Sequence, residues 1–398
     1  MEDQRAVKTD LSTNVGFFLP DGSWLGGSNY LRNLLAAVSS LPDNIIAPVL
    51  FAGRHQPVNP SDFPGTEIVT TPMLDRKSMA WFARKIIGST LGQDILLGGL
   101  LRRHNISALS HSFHLGRQSA VKTIGWIPDF QHLHLPEFFT ADARTHLDRT
   151  FTSICVNCNK VIVSSECARV DLMNFSPEHA HKAELLRFVA TPVPLAEAAS
   201  LPDLERLYNF DGPYFLLPNQ FWVHKNHRVV LSALRELKRQ HKSFLVLATG
   251  SSKDYRNPSF FPSLMQYGAE CGVLDRFRVL GQIPFDHLAR LMRHAIAFIN
   301  PSRFEGWSTS VEEAKSMGKQ VVISDIAVHR EQAPDRGFFF PPEDPEALAE
   351  ALIAAYNGFD REMDLAMQAA ARECFPARQR EFGRAYLDIV KRALADHI

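Results

Sequence analysis

The chain lacks most of what would mark a membrane-spanning, secreted or nucleic-acid-binding protein. No run of about 20 apolar residues is present, so no segment reads as a bilayer-crossing helix. The first five residues, Met1 to Arg5, are polar and carry no apolar centre of a signal peptide. Charge of one sign is missing too: 43 Lys and Arg stand against 43 Asp and Glu. A protein that works by neutralising nucleic-acid phosphates carries a basic excess, so nucleic acid is not an expected partner. Cysteine is scarce and odd in number, five in all, which suits reduced thiols in the cytoplasm better than a disulfide framework. Cys155 and Cys158 form a C-x-x-C with no second pair and no His at ligand spacing. They read as small buried residues on a helix leading into a strand at 160–164, and no metal is expected.

What is present is an ordinary globular composition, 45% hydrophobic and 22% charged over 398 residues, enough for two or three domains. Short apolar runs at 15–20, 45–51, 67–71, 106–109, 121–127 and 160–164 alternate with helical patterns. The alternation stalls at 191–213, where Pro192, Pro194, Pro202 and Pro213 mark a linker. It resumes with strands at 214–217, 244–248, 277–280, 295–299 and 321–324. Repeated βα units imply α/β architecture, with parallel sheets and ligands at the carboxyl ends of the strands. The expected division is a first domain over 1–200, a second over 201–377, and a last amphipathic helix at 378–398 packing back on the first domain. Helices are expected over 362–374 and 378–397.

The richest stretch is 300–318, Asn-Pro-Ser-Arg-Phe-Glu-Gly-Trp-Ser-Thr-Ser-Val-Glu-Glu-Ala-Lys-Ser-Met-Gly, between two apolar strands. Residues 311–317 read as a short helix stopped by Gly318. Thr309 with Glu312, or Ser310 with Glu313, has capping-box spacing. A helix N-terminus fed by small hydroxyl residues favours an anion, because its amides are unpaired and its dipole is positive there. Glu305 and Glu313, eight positions apart, would repel phosphate and are suited instead to sugar hydroxyls. A ligand with a diphosphate between two sugars fits.

Other strand ends add to this. Gly26 and Gly27, in the loop after the first strand, let backbone approach phosphate closely, although a plain βα turn would look the same. A helix is expected from about residue 29 onward. Lys225, after the first strand of the second half, sits where a helix dipole disfavours a cation but a phosphate would use one. Residues 250–253 and 281–284 end neighbouring strands in the same layer. Asp129, His132 and His134 follow the strand at 121–127, where hydrogen bonding to substrate hydroxyls fits better than metal ligation. The segment 76–104 mixes Arg and Lys with bulky apolar residues, as a surface segment resting on anionic lipid would; two ordinary amphipathic helices are the plain alternative.

Taken together, the Gly-Gly loop, Lys225 and the Glu-x7-Glu element within Pro-Ser-x-x-Glu-Gly resemble glycosyltransferase family 4, retaining nucleotide-sugar enzymes of the GT-B fold. The likeness runs from about Val15 to the final helix. Residues 126–139 and 219–227 also resemble members that build bacterial polysaccharides and lipopolysaccharides. The resemblance implies two Rossmann-like domains facing a cleft and metal-independent transfer of a hexose-type sugar from a UDP- or GDP-sugar to a hydroxyl of a glycan or lipid-linked acceptor. It places Glu313 on the ribose, Glu305 beside the transferred sugar, and Ser308, Thr309, Ser310, Lys225, Gly26 and Gly27 around the diphosphate. Gly281 and Ile283 fall near the base. Two positions depart from the pattern. Gln220 stands where an Arg is usual, and Pro128-Asp129 where His-Asp is usual; His132 or His134 is the expected stand-in for the sugar contact. Asp129, Glu305 and Lys225 are the expected catalytic residues. A sugar-nucleotide 2-epimerase of the same layout and a two-lobed solute-binding protein are the rival readings. The expected location is cytoplasmic, peripheral to the inner face of the membrane through 76–104.

Overall fold

The computed structural model describes residues 13–20, 25–112, 115, 120–192, 199–254 and 256–396. Two all-parallel sheets organise them. In the first, β1 (Thr13–Phe18), β2 (Ile46–Ala52), β3 (Glu67–Thr70), β4 (Ile106–Ser110), β5 (Lys122–Trp126), β6 (Lys160–Val163) and β7 (Ala183–Leu185) lie in the order β3-β2-β1-β4-β5-β6-β7. The second holds β8 (Tyr214–Leu217), β9 (Leu245–Thr249), β10 (Phe277–Gly281), β11 (Phe298–Asn300), β12 (Val321–Ser324) and β13 (Gly337–Phe340). Its order is β10-β9-β8-β11-β12-β13.

Both orders reverse beside their first strand, between β1 and β4 and between β8 and β11. That reversal opens a crevice at the strand ends where doubly wound sheets bind ligands. The strands are buried on both faces, as β8, β9 and β12 show along their whole lengths, because helices cover each sheet on both sides. The expected α/β architecture with two Rossmann-like halves is what forms. Short strands β7 and β13 lie at sheet edges and escaped the sequence reading, since three or four residues show little periodicity.

The chain ends in one helix, Arg361–Ala395, with Pro376 inside it. The sequence suggested a break there. A proline removes one ladder donor, and this helix is anchored on both sides of it. In the second lobe, Lys319 Nζ lies 2.7 Å from Asp364 Oδ2 with both side chains fully buried. In the first lobe, Phe382, Tyr386, Leu387, Ile389, Val390 and Ala393 join the core built by β1 and the helix Leu25–Ser39. Gly318 shows why the motif helix must stop where it does. Its φ is +67°, and a Cβ there would come within 2.3 Å of the Met367 carbonyl oxygen of the terminal helix. Among the described residues, no helix is long and apolar enough to cross a membrane.

Candidate functional site

The centre of the site is a pair that sequence distance hides. Lys225 follows β8 and Glu305 follows β11, and their Nζ and Oε1 atoms meet at 2.6 Å at the second sheet's reversal point. Both are largely buried, with side chains 15% and 9% exposed. Asn300, the last residue of β11, builds the floor. Its Nδ2 donates to Ser308 Oγ at 2.6 Å and to Ser310 Oγ at 3.0 Å, while its Oδ1 accepts from Ser302 Oγ at 2.6 Å. Ser302 Oγ also lies 2.6 Å from Glu305 Oε1. Burial by itself would raise the Glu305 pKa. The Lys225 charge and the Lys225 hydrogen bond outweigh it and hold the carboxyl at about 2.

The motif helix runs Thr309–Met317 with Ser308 as N-cap, and no side-chain cap forms. The expected capping box is therefore absent. Ser308 and Ser310 are committed to Asn300, and Glu312 turns away to Arg378 (2.7 Å), Lys315 (3.2 Å) and Gln332 (3.1 Å). The Ser308 amide donates to Gln332 Oε1 at 3.1 Å. The amides of Thr309, Ser310 and Val311 have no acceptor among the described residues, which leaves the first turn open to an anion.

Glu313, one residue beyond Glu312, has no hydrogen bond or ion pair among the described residues, and burial pushes its pKa up to about 7. The two glutamates thus differ in state. Glu305 is a fixed anion, whereas Glu313 is poised near neutrality and waits for donors.

Gly306 joins this cradle to the other lobe. A Cβ on Gly306 would stand 2.2 Å from the Pro128 carbonyl oxygen and 2.7 Å from Asp129 Cβ, so only glycine permits the approach. Asp129 is brought beside Glu305 in this way. Burial raises its pKa, opposed by the Gln131 amide that it accepts at 2.8 Å and reinforced by the Glu305 charge. Trp307 Nε1 donates to the Phe188 carbonyl across the lobes at 3.1 Å.

Two further links bridge the cleft. Arg256 Nη1 donates to Gln131 Oε1 at 3.2 Å, and Glu331 accepts from the Glu166 amide and from Arg187. A cavity of about 450 Å³ lies between the lobes, with Glu305, Gly306, Phe304, His134, Asp171 and Cys167 among its lining.

Other expected residues fall in different places. His134 reaches this cavity, with Nε2 2.9 Å from Asp171 Oδ1 and its ring 5.0 Å from that of Phe304. His132 does not offer an edge to the cleft. Its side chain is 2% exposed, bonded to Asp148 at 3.1 Å and packed among Phe130, Phe139 and Phe151. An imidazole with aromatic neighbours was better buried than solvated. Gly26 and Gly27 belong to the first turn of the helix Leu25–Ser39 rather than to a loop, so the expected start near residue 29 moves back; residues 21–24 of that loop lie outside the described residues.

Gln220 lies in the turn after β8, its carbonyl accepting from the Trp222 amide at 2.8 Å. Gly281 ends β10 with φ +71° and open space where a Cβ would be, and Ile283 packs its side chain on the second lobe's core. Arg256, Asn300, Ser302 and His329 were not singled out from sequence. Arg256 has only its place three residues past Lys253, and His329 is reached only by folding.

Unpartnered polar atoms gather around this edge. Asn219 Nδ2, His224 Nδ1, both His227 ring nitrogens and His329 Nε2 are buried without a hydrogen-bond partner among the described residues. Buried polar groups are normally satisfied, so such a cluster marks a place built for something more. His224 is kept neutral chiefly by burial and then by Lys225.

With that geometry in view, residues 212–358 match the family described as glycosyl transferases group 1. That stretch of the second lobe is thus similar to a group 1 glycosyl transferase domain, and the whole chain takes the GT-B fold. The O-antigen chain mannosyltransferase B of Escherichia coli is 22% identical over 220 residues, 55% of this chain and 57% of that protein. The chain therefore spans only a little over half the length of that relative. Two solved structures align nearly end to end. A glycosyltransferase from Rickettsia africae gives a TM-score of 0.69 at 16% identity, covering 97% of this chain and 100% of that one. HepE from Anabaena, solved in complex with UDP and glucose, gives 0.65 at 13% identity, covering 95% and 99%.

Proposed function

We propose that this protein is a retaining glycosyltransferase that moves a hexose-type sugar from a UDP- or GDP-sugar to a hydroxyl of a glycan or lipid-linked acceptor without a metal ion. We place its work in the cytoplasm, at the inner face of the membrane. The observation that carries the reading is the meeting of Lys225 and Glu305 beside the three open amides of Thr309, Ser310 and Val311. The glycosyl transferases group 1 match and the mannosyltransferase relative support it, as does the UDP held by HepE.

In this reading the diphosphate lies on the open amides with Lys225 beside it, and Glu313 accepts hydrogen bonds from the ribose. Breaking the bond between anomeric carbon and phosphate oxygen sends the electron pair to the diphosphate. Positive groups fixed in advance at that point stabilise the developing charge, which is the role a metal would otherwise fill. The acceptor oxygen forms the new bond to the anomeric carbon, and its proton leaves with the phosphate. Glu305 and Asp129 flank the sugar, and contacts to base and ribose hold it against the acceptor. Arg256, in the loop after β9 with its guanidinium carbon 5.1 Å from the Trp222 ring centre, supplies the second cation that Gln220 does not.

Thermal unfolding with UDP, GDP and ADP, each with and without EDTA, tests this. UDP or GDP should raise Tm equally in both conditions. No shift with any nucleotide would sink the donor assignment, and loss of the shift in EDTA would sink the metal-free one.

A further inference from the structure

The helix Met79–Leu91 carries apolar residues on its exposed side as well as on its half-buried one. Its residues Met79, Phe82, Ala83, Ile86 and Thr90 follow helical spacing along one side and are all exposed, Met79 at 84% and Ile86 at 62%. A helix resting on a globular core turns such a stripe inward. Here the half-buried side holds Ala80, Trp81 and Ile87 together with Arg84, whose Nε lies 2.6 Å from Asp94 Oδ2 and whose Nη1 donates to the Met73 carbonyl, and a second apolar stripe is left facing outward. The next helix, Ile95–Arg103, buries Leu97 and Leu101 but leaves Ile95 and Leu96 exposed beside the first stripe.

Clustering separates this face from ordinary surface apolarity. Of the fifteen large apolar side chains that are exposed among the described residues, six fall between Met79 and Leu96, and the others are scattered singly or in pairs. Charge sharpens it further. No Asp or Glu occurs from Arg76 to Gln93, and 76–104 holds six Lys and Arg against the single acid Asp94, in a chain whose net charge is zero. Lys85, Arg102 and Arg103 are exposed.

We infer that this face docks on an anionic lipid surface, with Met79, Phe82 and Ile86 entering the interface and Lys77, Lys85, Arg102 and Arg103 over the headgroups. A face that is apolar and basic at once, with no acid on the stripe, matches lipid of that charge. Its place in the fold gives the docking a use. The pair of helices hangs from the carboxyl end of β3 through the turn Pro72–Leu74, and the Asp94 amide donates to the Leu115 carbonyl at 3.3 Å in the loop after β4. His134, which lines the cavity between the lobes, follows the carboxyl end of β5 in the same sheet. A lipid-linked acceptor, in the function proposed above, would then present its hydroxyl at the cleft mouth without leaving the bilayer.

The docking is tested without any enzymatic readout, so its failure is distinct from failure of the transferase reading. The full chain should co-sediment with vesicles of phosphatidylcholine and phosphatidylglycerol, not with phosphatidylcholine alone, and added salt should weaken the binding. The double variant Phe82→Ser with Ile86→Ser should lose about tenfold in vesicle affinity, since the Phe82 ring and the Ile86 aliphatic side chain no longer enter the interface. Its Tm should not fall, because both side chains are exposed. The inference is overturned if the chain ignores both vesicle types or binds both equally. It is also overturned if the double variant binds like the parent, or if sedimentation equilibrium shows a dimer that the double variant dissolves, which would assign the face to a second copy.

Discussion

In the first lobe, His111 follows β4 at the sheet's reversal point with both ring nitrogens engaged. The Tyr30 hydroxyl lies 2.8 Å from Nε2 and the Ser110 hydroxyl 2.9 Å from Nδ1, and the rings of Phe17, Trp126 and Tyr386 surround it. In the second lobe, the imidazoles of His224, His227 and His329 keep buried nitrogens without partners among the described residues, whereas the nest around His111 leaves the Tyr386 hydroxyl. The strand order around the two reversals is shared. One edge has been closed into core by an aromatic nest and the terminal helix. The other has been left electrostatically open, with a fixed anion at Glu305, a cation at Lys225 and three amides that have no acceptor among the described residues. The same topology thus supplies a crevice twice, and only the loops decide which becomes a ligand site.

Breaking the Lys225–Glu305 pair should have the largest effect. Lys225→Met leaves a buried carboxylate without its cation, a cost of about 3 kcal/mol in stability. Loss of a fixed positive group at the leaving diphosphate should cut turnover by about 100-fold or more. Adding Glu305→Gln should restore Tm while leaving turnover low. If the double variant regains activity, the pair serves packing alone and the contrast between the edges fails.

A smaller effect is expected at Glu313, and it is pH-dependent. Burial raises its folded pKa from 4.5 to about 7, so the free protein holds a proton there that the unfolded chain has already lost. Stability of the free protein should therefore fall as pH rises between those two values and level off above 7. The ionised carboxylate is the better acceptor for ribose hydroxyls. Nucleotide affinity measured by calorimetry should then strengthen as pH rises through 7. Glu313→Gln should flatten that profile and weaken binding by about tenfold at pH 8, near the value of one hydrogen bond to a charged group. An unchanged profile in the variant would remove Glu313 from the ribose.

The smallest effect belongs to the closed edge. Tyr30→Phe removes the hydroxyl beside His111 and should cost about 1 kcal/mol in denaturant unfolding, with nucleotide affinity unchanged. A drop in affinity would show that the first lobe's nest participates in the site after all.

Much of this was legible in residues. Short apolar runs exposed most of the strands, and their alternation with 3.6-residue helical patterns implied parallel sheets. The motif helix was bounded by its hydroxyl run and by Gly318, whose left-handed turn the structure confirms. The capping box was misread because spacing cannot tell which partner a side chain will choose. Ser308 and Ser310 had a stronger claim from the buried Asn300, and Glu312 from Arg378, 66 residues away. His132 carried a polar name into an aromatic pocket for the same reason.

By itself the sequence determined the fold class and the strand-loop-helix element at 300–318, and it put forward Glu305, Glu313 and Lys225 as candidates, because apolar patterning and turn chemistry are local. Tertiary structure alone decided that Lys225 pairs with Glu305, that Gly306 must admit Pro128, and that the stripe of Met79–Leu91 faces outward. Each of these depends on which distant segment arrives alongside, and no local pattern records that.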